Sequence, residues 1–183
     1  AILVNSGNSN AFTGHRGIAS VAALSKALAD QLELSESRIF TASTGVIGEP
    51  LPHEKISTRM PELIADLDAE GISMAALAIM TTDTYPKGAS VQVETPSGPV
   101  NLVGIAKGSG MIAPDMATML AYIFTDAQIE QAELQGLLSS VNEVTFNAIT
   151  VDSDTSTSDT LILAATGASG HRVSAQNTAF VEG

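Results

Sequence analysis

Residues 105 to 120 read Ile-Ala-Lys-Gly-Ser-Gly-Met-Ile-Ala-Pro-Asp-Met-Ala-Thr-Met-Leu. Gly108 and Gly110 make a bendable loop, and Pro114 fixes one backbone angle and removes a donor. From Thr118 the chain turns apolar at once, through Met119, Leu120, Ala121, Tyr122, Ile123 and Phe124. That run has the length and composition of a buried strand. A threonine therefore stands where a constrained loop meets a core strand. Its hydroxyl is well held there, and the Ala117–Thr118 peptide bond is a candidate for strain. A plainer reading of the same residues makes Thr118 an ordinary β-branched strand starter. A phosphate-cradling loop does not fit. The Walker pattern puts the lysine after the glycines and a helix after the lysine, whereas Lys107 precedes both glycines.

Upstream of this loop the pattern is a hairpin. Val91 and Val93, then Pro96-Ser97-Gly98-Pro99, then Val100, Leu102 and Val103 alternate around a turn over residues 89 to 106. Further back, Met80-Thr81-Thr82-Asp83-Thr84-Tyr85-Pro86-Lys87 is a polar cluster. It follows an apolar run from Ile72 that periodicity alone assigns to neither helix nor strand. Residues 53 to 70 read as helix in two pieces, with Pro61 in the first turn of the second piece and Gly71 after its end. Residues 38 to 43 read as a short strand running into Thr44-Gly45-Val46-Ile47-Gly48-Glu49-Pro50. A Thr-Gly pair at a strand end can leave N–H groups free of the sheet, where they can hold an oxyanion. A strand-ending glycine turn accounts for the same residues. Residues 1 to 5 read as a buried strand and residues 6 to 10 as a polar turn. Residues 14 to 34 read as a helix with Thr13 as N-cap and Ile18, Val21, Ala22, Leu24, Leu28 and Leu32 at helical spacing.

Downstream, Asp126 reads as the cap of a helix whose apolar side is Ile129, Ala132, Leu134, Leu137, Leu138 and Val141. Residues 146 to 151 read as a short strand or a helix end. Residues 152 to 160, Asp-Ser-Asp-Thr-Ser-Thr-Ser-Asp-Thr, are a polar loop suited to side-chain-to-backbone hydrogen bonds. They lack the glycine and terminal glutamate that a calcium-binding EF-hand loop needs. Residues 161 to 166 read as a last strand closed by Gly167, and the tail has no strong pattern. Strands interspersed with long helices make the expected fold class α/β, of the α+β layered kind.

Composition bounds the function. The chain has 183 residues, enough for one domain with a sizeable core, and 44% of them are apolar. Aromatics are 4% with no Trp, so the core is built mainly from Ala, Val, Ile, Leu and Met. A net charge of −12 disfavours nucleic acid and anionic lipid as partners. There is no cysteine, which excludes disulfides, cysteine nucleophiles and thiolate metal sites. His15, His53 and His171 show no ligand spacing, so no metal is expected. No run is long and apolar enough for a membrane span, and no signal-peptide pattern opens the chain, which makes the cytoplasm the expected compartment. The chain opens in the apolar run Ala1-Ile2-Leu3-Val4 and closes on Phe180-Val181-Glu182-Gly183, and it reads as an interior piece of a longer protein.

The segment from Lys107 to Leu120 resembles, without a gap, the self-cleavage segment of the ornithine acetyltransferase family, the bifunctional glutamate N-acetyltransferases of arginine biosynthesis. Asp115 stands where that family usually has Asn, just outside the Met116-Ala117-Thr118 core. Residues 5 to 14 resemble the family's early strand–turn–helix unit. Ser43 to Pro50, Met80 to Thr84 and the 152 to 160 run resemble further family segments. The last of these departs at Ser153, usually Gly, and at Ser158, usually Asn. The resemblance implies stacked helix and sheet layers, with residues 1 to 183 as the central part of a single acetyltransferase domain cleaved between Ala117 and Thr118. It implies Thr118 as nucleophile, Thr44 and Gly45 as the oxyanion hole, and Lys107 and Thr81 as substrate contacts, with Thr82 and Thr84 as second choices for Thr81. It implies N2-acetylornithine and glutamate as substrates and no cofactor, with acetyl-CoA as an alternative acetyl donor. It also implies self-association of the two cleavage products in a heterotetramer. Family members are longer, and their substrate-contacting Glu, Asn and Thr further toward the C-terminus lie outside this sequence.

The chemistry is coherent without cysteine or histidine. A threonine hydroxyl needs a base, and a neutral α-amine on the same residue can be that base. Such an amine has a pKa of about 7.7 to 8.0, so a useful fraction is neutral near pH 7. Cleavage before Thr118 creates it. The reaction that the resemblance implies is ping-pong acetyl transfer. Two alternatives remain from the residues: an amidohydrolase or aminopeptidase with the same N-terminal threonine and water as acceptor, and a binding fragment without activity.

Overall fold

A computed structural model describes residues 1–111 and 119–183 of the chain. The chain forms two compact units, residues 1–81 and 82–183. Both layer helix against sheet, giving the expected α/β class.

The first unit begins with β1 (Ile2–Asn8), α1 (Gly14–Leu32) and β2 (Phe40–Val46), and the two strands pair in parallel. A parallel pair needs a crossover, and α1 supplies it. The buried stripe of α1 is Gly17, Ser20, Leu24 and Leu28, at spacings of three and four, so the helical period is as expected. Ile18, expected on the apolar side, is 68% exposed, because it projects from the turn beside that stripe. Thr13 occupies the N-cap position but caps nothing with its side chain; its hydroxyl donates to Asn10 O at 2.9 Å. α2 (His53–Ala65) continues through Pro61 instead of dividing there. The reason is tertiary: Ile56, Met60 and Ile64 share one helix face, and all three pack with Leu24, Leu28 and Leu51. Burying that face outweighs the one hydrogen bond that proline removes. The ambiguous apolar run is helical, α3 (Ile72–Ala78).

The second unit is built on a four-stranded sheet in the order β3 (Lys87–Thr95), β4 (Gly98–Lys107), β5 (Leu120–Thr125), β6 (Thr160–Ala165). The hairpin β3–β4 is as expected, β4–β5 is antiparallel and β5–β6 parallel. α4 (Gln131–Val144) provides the parallel crossover. Asp126 does not cap it. Its carboxylate accepts the Asn101 N–H at 2.8 Å and the Asn101 side-chain amide at 2.7 Å. The residues between are engaged first in a bridge, with Gln128 N–H donating to His171 O and Val173 N–H to Gln128 O. The tail that carried no pattern forms α5 (Thr178–Glu182) and places Phe180 in the core with Val93, Val100, Ala127, Leu137 and Val173. Residues 146 to 148 form a 3-10 turn.

Strand alternation sorts the sheet's two faces. Val100 and Leu102 of β4 pack with Leu137 of α4. Lys107, at odd register from them, projects from the opposite face.

Candidate active site

The first unit holds Thr44 and Gly45. They do not follow the strand, as expected, but lie within it, opposite Ser6 and Gly7 of β1. Phe40 N–H donates to Ala1 O, which marks the even-numbered residues of β2 as those facing β1. The Thr44 N–H is therefore committed to the ladder side, and what Thr44 can offer a ligand is its hydroxyl. The residue is 3% exposed, so that hydroxyl sits in a fixed rotameric setting. At Gly45 the regular pairing ends, since Asn8 is in register with both Thr44 and Val46. Gly45 has φ +132°, and a Cβ there would collide with the Gly7 carbonyl carbon and lie 2.6 Å from Asn8 N. Only glycine fits this irregularity. Asn8 reinforces it by donating to Glu49 O at 3.1 Å. Thr81 lies exposed in the bend after α3.

The second unit holds Lys107, the last residue of β4. It is 2% exposed, among the most enclosed large side chains described. Burying an ammonium is costly unless anions compensate. Burial pushes the Lys107 pKa down; Asp83 opposes this, Lys87 adds to it, and Asp159 opposes it. Asp83 was not singled out by sequence. Its side chain is fully enclosed, and one oxygen, Oδ1, accepts from Lys87 Nζ at 2.6 Å and from Gly108 N–H at 2.7 Å. Lys87 also sits over the Tyr85 ring, 4.9 Å from its centre. Ser109 Oγ donates to Thr82 O at 3.1 Å. The polar cluster after α3 is thus a clamp on the chain that leaves β4.

Two more carboxylates act on the same stretch. Asp152 Oδ2 accepts the Met111 N–H at 2.7 Å, and Asp159 Oδ1 accepts the Met119 N–H at 2.8 Å. The polar loop does make the side-chain-to-backbone bonds expected of it, but with partners about forty residues away in sequence. Met111 takes a left-handed conformation, φ +53°, at the first of these contacts. The nucleophile candidate Thr118 and the cleavage position Ala117–Thr118 lie outside the described residues. Nothing in the sequence around Asp83, Asp152 or Asp159 names a backbone partner, so only their acidic character could be read beforehand.

Comparison with known proteins gives this arrangement a family. The ArgJ family model matches residues 1–183. The arginine biosynthesis bifunctional protein ArgJ of Ruegeria pomeroyi is 62% identical over 170 residues, covering 93% of this chain and 42% of that protein. Its namesake from Gluconobacter oxydans is 54% identical over 167 residues, covering 91% and 39%. The chain spans less than half the length of these relatives. Among solved structures, the arginine biosynthesis bifunctional protein of Bacillus halodurans aligns with a TM-score of 0.56 at 36% identity, over 65% of this chain and 61% of that one. The ornithine acetyltransferase of Mycobacterium tuberculosis, solved in complex with ornithine, aligns with a TM-score of 0.57 at 34% identity, over 62% and 61%. From the loop at Lys107 to the strand at Thr44, the chain belongs to the ArgJ family.

Proposed function

We propose that this chain is the central part of an enzyme that moves an acetyl group from N2-acetylornithine to glutamate. The observation that carries the reading is Lys107, a buried cation at the end of β4, eleven positions before Thr118 in a segment that matches the family. In an acidic chain, such a cation is a place for a substrate carboxylate. Hydrolysis of the Ala117–Thr118 bond yields a carboxylate on Ala117 and an amine on Thr118. The neutral amine takes the Thr118 hydroxyl proton as Oγ attacks the acetyl carbonyl. The developing oxyanion is held by the Thr44 hydroxyl and the backbone at Gly45. Collapse breaks the amide bond, the proton passes to the departing nitrogen, and ornithine leaves an acetyl-threonine. Glutamate attacks through its α-amine, the steps run in reverse, and N-acetylglutamate is released. Lys107 and Thr81 bind substrate. No cofactor is used, acetyl-CoA is an alternative donor, the two cleavage products stay together in a heterotetramer, and the enzyme works in the cytoplasm.

The test uses full-length Thr118 variants incubated with acetyl-labelled acetylornithine. Wild type and Thr118→Ser should be cut and carry label on the fragment beginning at residue 118. Thr118→Ala and Thr118→Val should remain whole and unlabelled, although Val keeps the branched shape that a mere strand starter needs. A Val variant that still exchanges acetyl groups eliminates the mechanism.

A further inference from the structure

We propose that Asp83 is a positioning residue for amino-acid binding: its buried carboxylate, shared between the Lys87 ammonium and the Gly108 amide, fixes the turn where Lys107 leaves the sheet and provides the anion beside which Lys107 can receive a substrate carboxylate. This rests on the reading of Lys107 as a substrate contact.

The geometry supplies three arguments. First, Asp83 Oδ1 takes two donors at 2.6 and 2.7 Å, and the Asp83 side chain is wholly enclosed. Charge-assisted bonds of this length are the stronger class, and in an enclosed setting they hold their partners rigidly. Second, one of those partners is the backbone of the residue after Lys107, so the aspartate and the lysine are tied through a single peptide unit. Third, among the described residues, the charged groups that act on Lys107 are Asp83 from the segment before β3, Lys87 from β3 and Asp159 from the segment before β6. Burial works against the Lys107 charge, and Asp83 is the largest influence in its favour. Lys87, a third exposed and stacked over Tyr85, is held against Asp83 at 2.6 Å. A free α-carboxylate reaching Lys107 therefore meets an ammonium whose charge Asp83 favours against the opposing effect of burial.

Asp83→Asn in the full-length enzyme isolates the charge, because the amide oxygen can still accept from Gly108. Two readouts are taken. The pH dependence of Lys107 labelling by acetic anhydride, measured without substrate, should shift toward lower pH by about one unit or more, since the cation loses its largest support. KM for the amino-acid acceptor at pH 8 should rise about tenfold, with kcat within about threefold, as expected when ground-state binding is lost. An unmoved labelling curve overturns the inference. A moved curve with unchanged KM overturns the substrate role of Lys107 on which it rests. If Asp83→Asn does not fold, Lys87→Met compared with the Lys87→Met/Asp83→Asn double variant makes the same measurement without stranding the Lys87 ammonium.

Discussion

Thr44 has its N–H on the β1 side of the ladder and its side chain enclosed, so a catalytic contribution must come through Oγ. Thr44→Ala should lower kcat by about 10²- to 10³-fold, the cost of removing one oxyanion donor, with KM changed far less. Steady-state kinetics of the full-length protein decide it, and unchanged turnover removes the side chain from the proposed mechanism. Asp126 is a second residue whose environment fixes its behaviour. The Asn101 N–H bonds its carboxylate and holds its pKa below the usual value, helped by the Asn101 side chain. A carboxylate with a depressed folded pKa stabilises the fold above its unfolded pKa. That contribution disappears as pH falls through the ordinary carboxylate range toward the folded value. Asp126→Ala should lower the urea midpoint at pH 7 and flatten its decline between pH 5 and 3. An acid limb as steep as wild type would show that this carboxylate is not involved.

At the scale of elements, α2 shows how a local rule yields to packing. Proline inside a helix costs about 3 kcal/mol in an isolated helix. Here the stripe Ile56, Met60, Ile64 must reach Leu24, Leu28 and Leu51 together, and a break at Pro61 would separate Ile64 from the other two. Met60 is 1% exposed at the centre of that contact. Met60→Ala should destabilise the first unit by about 2 to 5 kcal/mol, measured by urea unfolding. A loss below about 1 kcal/mol would mean the helix does not depend on this face. β2 makes a related point: it continues through Thr44 and Gly45 because glycine at 45 tolerates both the positive φ and the close approach of Gly7, where any side chain would have ended the pairing.

For the molecule as a whole, the sheet order determines what scission can do. A cut between residues 117 and 118 puts β4 on one product and β5 on the other. These strands are adjacent and pair from Leu102↔Thr125 to Lys107↔Leu120. Asp152 adds a contact across the same division by accepting the Met111 N–H at 2.7 Å, whereas Met119 and its acceptor Asp159 lie together on the second product. The two products should therefore co-elute on gel filtration and separate only in denaturant. Two products that part in native buffer would show that the β4–β5 pairing does not survive the cut.

Sequence by itself determined the hairpin around Pro96 and Ser97, the amphipathic helices, the buried strand after Thr118, the α/β class and the family, because each is a matter of period or of residues in consecutive order. The candidate residues Thr44, Gly45, Thr81, Lys107 and Thr118 came from that same local order. Tertiary structure decided which local options prevailed: helix continuing past Pro61, strand continuing through Gly45, Asp126 turned to Asn101 instead of capping α4, and the patternless tail delivering Phe180 to the core. It also revealed Asp83, Asp152 and Asp159, whose partners lie 25, 41 and 40 residues away. A carboxylate's partner is chosen by which backbone N–H the folded chain leaves beside it, and that depends on sheet register and loop path, which no local pattern encodes.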